Sequence, residues 1–288
     1  MKLKGLNKFR EKIPLFQGRK IVILPLFFLS VLTLILLFQF MFYFLTVIPL
    51  TGILIPLKPW FPVIGLIITA FIGLFLVYLM WGRRDTLKRK YGALSYQKIF
   101  LFGLSGVVVM FSIVEQAIFP FYLGINSFLT ELPYIFYTIS LISFIPVIGI
   151  FLDFIFFILG IFICILALIM VYRAINTFGF DYMAVVYLYF PEESEIQNNE
   201  IYSVLRHPTY SALIMLCLGG IFIHLNFYSI LNFLIFLLVM YIHVHFVEEK
   251  ELITRFGDSY KEFRKNVPAF FVHPNKWKNF FKFIIGKL

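Results

Sequence analysis

Charge is what this sequence has least of. Asp, Glu, Lys and Arg make up 14% of its 288 residues, against 61% apolar ones, and a chain so composed does not surround a soluble core with a charged shell. Residues 21–57 and 59–82 contain no charged side chain, whereas a helix needs only about 20 apolar residues to cross the hydrocarbon of a bilayer. Both runs are therefore read as lying in lipid. Strict polar–apolar alternation, the mark of a barrel strand, is missing too, so helix is the state that satisfies the backbone. Cysteine is scarce. Cys164 and Cys217 are the only two, both inside apolar runs where a thiol packs as a small hydrophobe, and no disulfide framework is expected.

Of the charge that is present, the excess is basic, +10 at neutral pH, and it is not arranged as a nucleic-acid footprint. It flanks apolar runs. One cluster (Lys2, Lys4, Lys8, Arg10, Lys12, Arg19, Lys20) precedes the first run, a second (Arg83, Arg84, Lys88, Arg89, Lys90) follows the next, and a third lies in the C-terminal tail. By the positive-inside rule all three are expected on the cytoplasmic side. The first is followed by a run too long for a signal-peptide core and is read as an uncleaved anchor.

A third span is expected over about 99–124, carrying Glu115, before a short polar connection with Asn126 and Glu131. Residues 132–172 then form a 41-residue apolar run that carries Asp153 and is broken at Pro146 to Gly149. That length suits two spans, or one span and a re-entrant piece. The longest polar segment, 173–206, leads into a pair of spans over 208–247, joined near 225–229. The expectation is an all-α, polytopic transmembrane bundle of about six to eight spans with a C-terminal helical hairpin and a cytoplasmic tail. The last residues, "NKWKNFFKFIIGKL" (275–288), mix Lys with Trp, Phe and Ile as an interfacial anchor does.

Two short stretches carry chemistry. In "LRHPTYSALIML" (205–216), Pro208 suits the first turn of a helix, where its missing N–H costs nothing. His207 then stands at the cap, and with Arg206 the free N–H groups of the helix start form a site for a carboxylate or phosphate. The bland alternative is a juxtamembrane arginine meeting lipid headgroups. In "HVHFVEEKELITRFGDSYKEFRKNVPAFF" (243–271), Glu248 and Glu249 emerge where the last span leaves the membrane. Paired carboxylates at a lipid boundary are costly without partners. A hairpin returns its ends to one face, which sets this pair opposite Arg206 and His207. His245, four residues before Glu249, is expected on the same helical face.

Together, "Y…RHP.Y" followed across an apolar hairpin by "EE..L…FG..Y..F…VP" resembles the isoprenylcysteine carboxyl methyltransferase and phospholipid methyltransferase family of integral-membrane enzymes. The stretch "LGIFICILALIMVYRAINTFG" (159–179) looks like that family's last core span. The resemblance covers roughly residues 152–275. It divides the chain into an N-terminal accessory transmembrane region (1–130), a catalytic core (131–275) and an interfacial tail (276–288).

What the resemblance implies is a helical S-adenosylmethionine-dependent methyltransferase acting, from a cytoplasm-facing site, on a lipid or lipidated substrate drawn from the bilayer. Its leading acceptors are a prenylcysteine carboxylate and a phospholipid amine. Tyr202, His207 and Tyr210 match the family's cofactor-contacting residues, with Pro208 and Thr209 between them. Glu248 matches its cofactor-contacting glutamate, Glu249 completes the pair, and Arg206 is the neighbouring cation. His243 and His245 are the candidate proton acceptors for an amine substrate. Glu115, Arg255 and Arg264 are the candidate substrate contacts, although each also reads as an ordinary paired or solvated group. Three departures stand out: Glu200 occupies the place of the glycine that usually precedes Ile201-Tyr202, the family's arginine just before the glutamates is absent, and its polar-segment histidine has no match in "FGFDYMAVVYL" (178–188). An NADPH-dependent lipid or sterol reductase and a non-catalytic membrane scaffold are the alternatives.

Overall fold

The structure, a computed structural model, describes residues 4–13, 20, 22–46, 48–49, 57–58, 60–92, 95–120, 146–187 and 190–286, apart from the side chains of 96–98, 146–150, 184–185 and 191. Among these it is a bundle of helices with no strand. In chain order they are α1 (Leu6–Lys12), α2 (Ile23–Phe44), α3 (Phe61–Tyr91), α4 (Ser95–Ile118), α5 (Pro146–Phe178), α6 (Pro208–His224), α7 (Phe227–His243), α8 (Glu249–Phe256), α9 (Asp258–Asn266) and α10 (Trp277–Ile284). Single π-helical turns occupy Tyr182–Val186 and Val244–Glu248, and a 3-10 turn Glu200–Ser203.

Among the described residues, five helices are long and apolar enough to cross a membrane: α2, α3, α4, α5 and the continuous Phe227–Phe256 rod made of α7, the π turn and α8. The sixth, α6, has 17 residues and rises only about 26 Å. It is the central helix. Ser211, Ala212, Cys217, Gly219 and Gly220 are buried along it, and α4, α5 and α7 all pack on it. Lipid tails give helices no reason to associate by hydrophobicity alone, so close backbone approach does the work. Gly219 meets Gly160 of α5, and a Cβ at Gly220 would collide with the Ala117 carbonyl of α4. The peripheral α2 and α5 instead turn Leu26, Leu34, Met41, Phe151 and Phe162 outward, as expected of surfaces that face hydrocarbon.

The C-terminal hairpin forms as the sequence implies. Leu225 in the left-handed region ends α6, and Asn226 caps α7 by accepting a hydrogen bond from the Ser229 amide at 2.8 Å, so the turn is tighter than the expected 225–229. Elsewhere the boundaries differ from expectation. The second basic cluster is helical, because α3 runs past the end of the uncharged stretch through Arg83, Arg84 and Lys88 to Tyr91. Arg, Lys and Leu are good helix formers, and the helix stops only at Gly92, φ 57°. Among the described residues α5 begins at Pro146, and Gly149 lies inside that helix. The connection holding Asn126 and Glu131, and residues 132–145, fall outside the described residues.

Sequence reading did not foresee α1 as a packed element. Phe9 and Ile13 are fully buried, and the Phe9 ring lies 5.8 Å from that of Phe100 on α4 and 5.0 Å from that of Phe180. The Lys4 ammonium donates to the Thr177 carbonyl at 2.9 Å, and Lys12 pairs with Glu193 at 2.7 Å. The N-terminal helix is thereby laid across the segment that follows α5.

Candidate active site

The hairpin delivers its two ends to one place. Arg206 and His207 precede α6, and both are stitched to the tail by backbone hydrogen bonds, the Arg206 amide to Pro268 O at 2.9 Å and the His207 amide to Ala269 O at 3.2 Å. His207 caps α6 through its backbone alone, with Pro208 at the first helical position and Thr209 in the first turn. Opposite them, the rod of α7 and α8 is underwound by its π turn. The extra residue in that turn lets His243, Glu248 and Glu249 all point inward. Single π turns inside α-helices are frequent at functional sites.

The adjacent glutamates divide their partners. Glu249 is held by Arg206, whose Nη2 stands 2.5 Å from Oε1, and by Arg264, whose Nε stands 3.3 Å from Oε2. Arg206 also donates to the carbonyls of Arg264 and Val267, so four of its five N–H groups are engaged within the protein. Glu248 accepts a hydrogen bond from the Tyr187 hydroxyl at 3.0 Å. Its Oε1 is 3.6 Å from His207 Nδ1, and its Oε2 is 3.6 Å from His243 Nε2. The Tyr210 hydroxyl lies 3.4 Å from His243 Nε2, and the Tyr210 ring stacks on His207 at 5.8 Å. Two buried polar atoms here have no hydrogen-bond partner, Glu248 Oε2 and His207 Nε2, the latter 3.5 Å from Glu249 Oε1.

Burial alone would lower the pKa of His207, but the facing Glu248 and Glu249 carboxylates outweigh it and raise the value above that of a free imidazole. Burial, followed by the charge of Glu248, pushes the Tyr187 phenol well up, so it stays protonated and donates. The same causes in the same order raise Tyr202.

These groups line one end of a cavity of about 450 Å³. Tyr187, Tyr202, Arg206, His207, Pro208, Thr209, Tyr210, His243 and Glu248 all contribute to its wall, while Glu249 does not. The Tyr202 ring is set by Phe178 at 4.7 Å. Its 3-10 turn begins at Glu200, whose φ of 47° is the left-handed conformation that glycine adopts freely. Thr177 donates a hydrogen bond to the Glu200 carboxylate.

Other candidates stand apart from the cavity. His245 stacks on Tyr241 at 5.4 Å and does not line it. The π turn is the reason, since it takes His245 off the face that His243 and Glu248 share. Glu115 is half-buried, accepts from Gln116 Nε2 at 3.0 Å and lies one turn beyond Phe111, the last lining residue of α4. Arg264 is committed to Glu249. Arg255 donates to the Tyr187 carbonyl and the Ser194 hydroxyl, each at 3.0 Å, and to Glu251, while Arg84 of α3 reaches Glu251 at 2.5 Å. Arg255 thus braces the segment bearing Tyr187.

Tyr187 is the residue that sequence reasoning missed. The signal was the unmatched histidine in 178–188, which marked that segment as the place to seek a substitute polar group.

Residues 155–259 match the family model described as phospholipid methyltransferase. The resemblance is confined to this segment, which is less than half of the chain. Over 69 residues, 24% of its length, the chain is 38% identical to the protein-S-isoprenylcysteine O-methyltransferase of Schizosaccharomyces pombe, and it covers 29% of the length of that relative. No solved structure matches. The matched segment supplies the polar end of the cavity. Its other end is built by α3 and α4, outside the matched residues.

Proposed function

We propose that this chain is an integral-membrane S-adenosylmethionine-dependent methyltransferase whose acceptor is a lipid or lipidated molecule, either a prenylcysteine carboxylate or a phospholipid amine. The observation that carries the reading is the pair of buried atoms that have ionic neighbours but no hydrogen bond, His207 Nε2 and Glu248 Oε2, at the polar end of the cavity in the family segment. A buried polar atom without a partner costs about 1–3 kcal/mol. Such atoms fit a ligand that brings both donors and acceptors, as an amino acid joined to a nucleoside does.

S-adenosylmethionine, when bound, supplies a methyl group already activated on a sulfonium. The protein's own task is then positioning and exclusion of water. Glu248, held by Tyr187, offers a carboxylate to the cofactor's ammonium or hydroxyls. His207 Nε2, Tyr202, Tyr210 and the start of α6 with Thr209 complete the cradle, the helix end favouring a carboxylate. Arg206, Arg264 and Glu249 form the buried ion cluster that keeps His207 and Pro208 in place. For an amine acceptor, His243 takes the proton and Glu248 stabilises the imidazolium. A carboxylate acceptor needs no base. The cofactor enters from the cytoplasm, on the side of the basic clusters.

The reading is tested with purified protein in lipid nanodiscs, methyl-labelled S-adenosylmethionine, and phosphatidylethanolamine or farnesylcysteine as acceptor. Label that appears in the lipid fraction with wild type and vanishes with Glu248→Gln supports it. Absence of label with both acceptors, while the cofactor binds, argues for a protein that has kept the fold without this chemistry.

A further inference from the structure

The C-terminal helix α10 has two apolar faces, and only one of them is covered. Phe280, Phe283 and Ile284 are buried in the core cluster that also holds Ile201 and Tyr202, where α10 packs on the Glu200–Ser203 turn and on α5. Trp277, Phe281 and Ile285, spaced four apart and so on one side of the helix, are instead 53%, 42% and 61% exposed. Their presentation is fixed: the Trp277 N–H donates to the Val272 carbonyl at 3.2 Å, and its ring meets that of Phe281 edge-on at 6.0 Å.

Cations border this uncovered stripe. Lys278 follows Trp277 and Lys282 follows Phe281, both are exposed, and no acidic residue comes after Glu262 in the chain. Arg173, near the C-terminal end of α5, adds a third positive charge one turn beyond Lys282. Its guanidinium lies 5.8 Å from the centre of the Phe283 ring, and a Cβ on Gly286 would stand 2.7 Å from its Nη2. Among the described residues none of these three cationic groups has a hydrogen-bond acceptor or an acidic partner, whereas Arg206, Arg255 and Arg264 are all paired with glutamates.

A stripe of aromatic and aliphatic side chains flanked by unpaired lysines fits the boundary between headgroups and acyl chains, with the charged ends reaching the phosphates. Three apolar residues are far too few for a stable protein partner, which needs roughly 20 or more residues a side. We infer that α10 and Arg173 form a docking site for the headgroups of anionic phospholipids, and that its occupation steadies the turn carrying Tyr202. Lipid holds one face of α10 and the Tyr202 turn lies against the other, so negative charge in the adjoining leaflet acts on the polar end of the cavity. The value of this to a cofactor rests on the methyltransferase reading; the lipid site itself does not.

The test uses the full chain in phosphatidylcholine nanodiscs with and without phosphatidylglycerol, either lipid carrying brominated acyl chains. Tryptophan quenching that wild type shows and Trp277→Phe lacks reports on α10. Brominated phosphatidylglycerol should quench this signal about twofold or more beyond brominated phosphatidylcholine at equal mole fraction, and salt should weaken the preference. The combined variant Arg173→Gln, Lys278→Gln, Lys282→Gln should abolish it; should that variant unfold, the exposed lysine pair alone carries the comparison. Hydrogen exchange at the Tyr202 and Val204 amides, which bond within the turn to Asn199 O and Ile201 O at 3.0 Å each, should slow when phosphatidylglycerol is added to wild type and not to the variant. Equal quenching by both lipids, or a preference that the variant retains, would overturn the docking site, and a preference without slowed exchange would overturn its link to Tyr202. Calorimetry with S-adenosylmethionine on the same samples keeps the claims apart: no cofactor binding in any of them, with the lipid preference intact, defeats the methyltransferase reading alone.

Discussion

His243 and Glu248 are five residues apart, and a single π turn sets His243 Nε2 3.6 Å from Glu248 Oε2. In a regular helix the neighbours of a residue are three and four positions away. The extra residue therefore turns His243 and both glutamates toward α6 while it takes His245 out of the cluster.

Glu248 and Glu249 should fail in different ways. Glu249 compensates Arg206, and the two side chains are 3% and 8% exposed. Glu249→Gln leaves a buried guanidinium without its counter-ion and is expected to destabilise the protein by about 3–5 kcal/mol, read as a lowered melting point in detergent. Glu248→Gln should leave the melting point near that of wild type and weaken S-adenosylmethionine binding more than tenfold, as should His207→Ala.

Tyr187 acts through Glu248. Removing its hydroxyl in Tyr187→Phe deletes one hydrogen bond to a charged group, about 1.5–3 kcal/mol, and should weaken cofactor binding roughly tenfold or more with little change in fold. An unchanged affinity would make the tyrosine a packing residue only.

At Glu200 the backbone adopts φ 47°, a conformation that costs a non-glycine residue of order 1 kcal/mol or more. Glu200→Gly relieves it and loses the bond from Thr177, so the two effects should cancel to within about 1 kcal/mol. Glu200→Val, β-branched and without an acceptor, should be clearly less stable. Comparing both melting points with wild type checks the pair.

The pKa of His207 is raised by the facing carboxylates. A raised pKa in the folded state means that folding favours the proton. The stabilisation is complete below the unfolded value, about 6.5, and is lost as pH rises through the folded value. Wild type should therefore lose stability over that interval on the alkaline side of 6.5, and His207→Gln should not show this loss. Identical pH profiles of melting would contradict the assignment.

The hairpin was legible because its logic is local: Pro208 marks a helix start, and the span length fixes where the chain returns. That was enough to bring Arg206 and His207 against Glu248 and Glu249. What escaped depends on contacts distant in sequence or on a one-residue change of helical pitch. The α-helical spacing put His245 beside Glu249, and only the π turn shows otherwise. Arg264 and Arg255 read as substrate contacts, but partners supplied by folding, Glu249 and the Tyr187 carbonyl, engage them. The N-terminal region carried no motif at all. Its contribution, the α3 and α4 wall of the cavity, is a matter of shape, which composition does not encode.

The most direct measurement is calorimetry of the detergent-purified protein with S-adenosylmethionine and, separately, NADPH, on wild type and Glu248→Gln. Saturable binding of S-adenosylmethionine alone, abolished by the substitution, is the predicted result. Binding of NADPH alone, or no binding of either, would contradict the account.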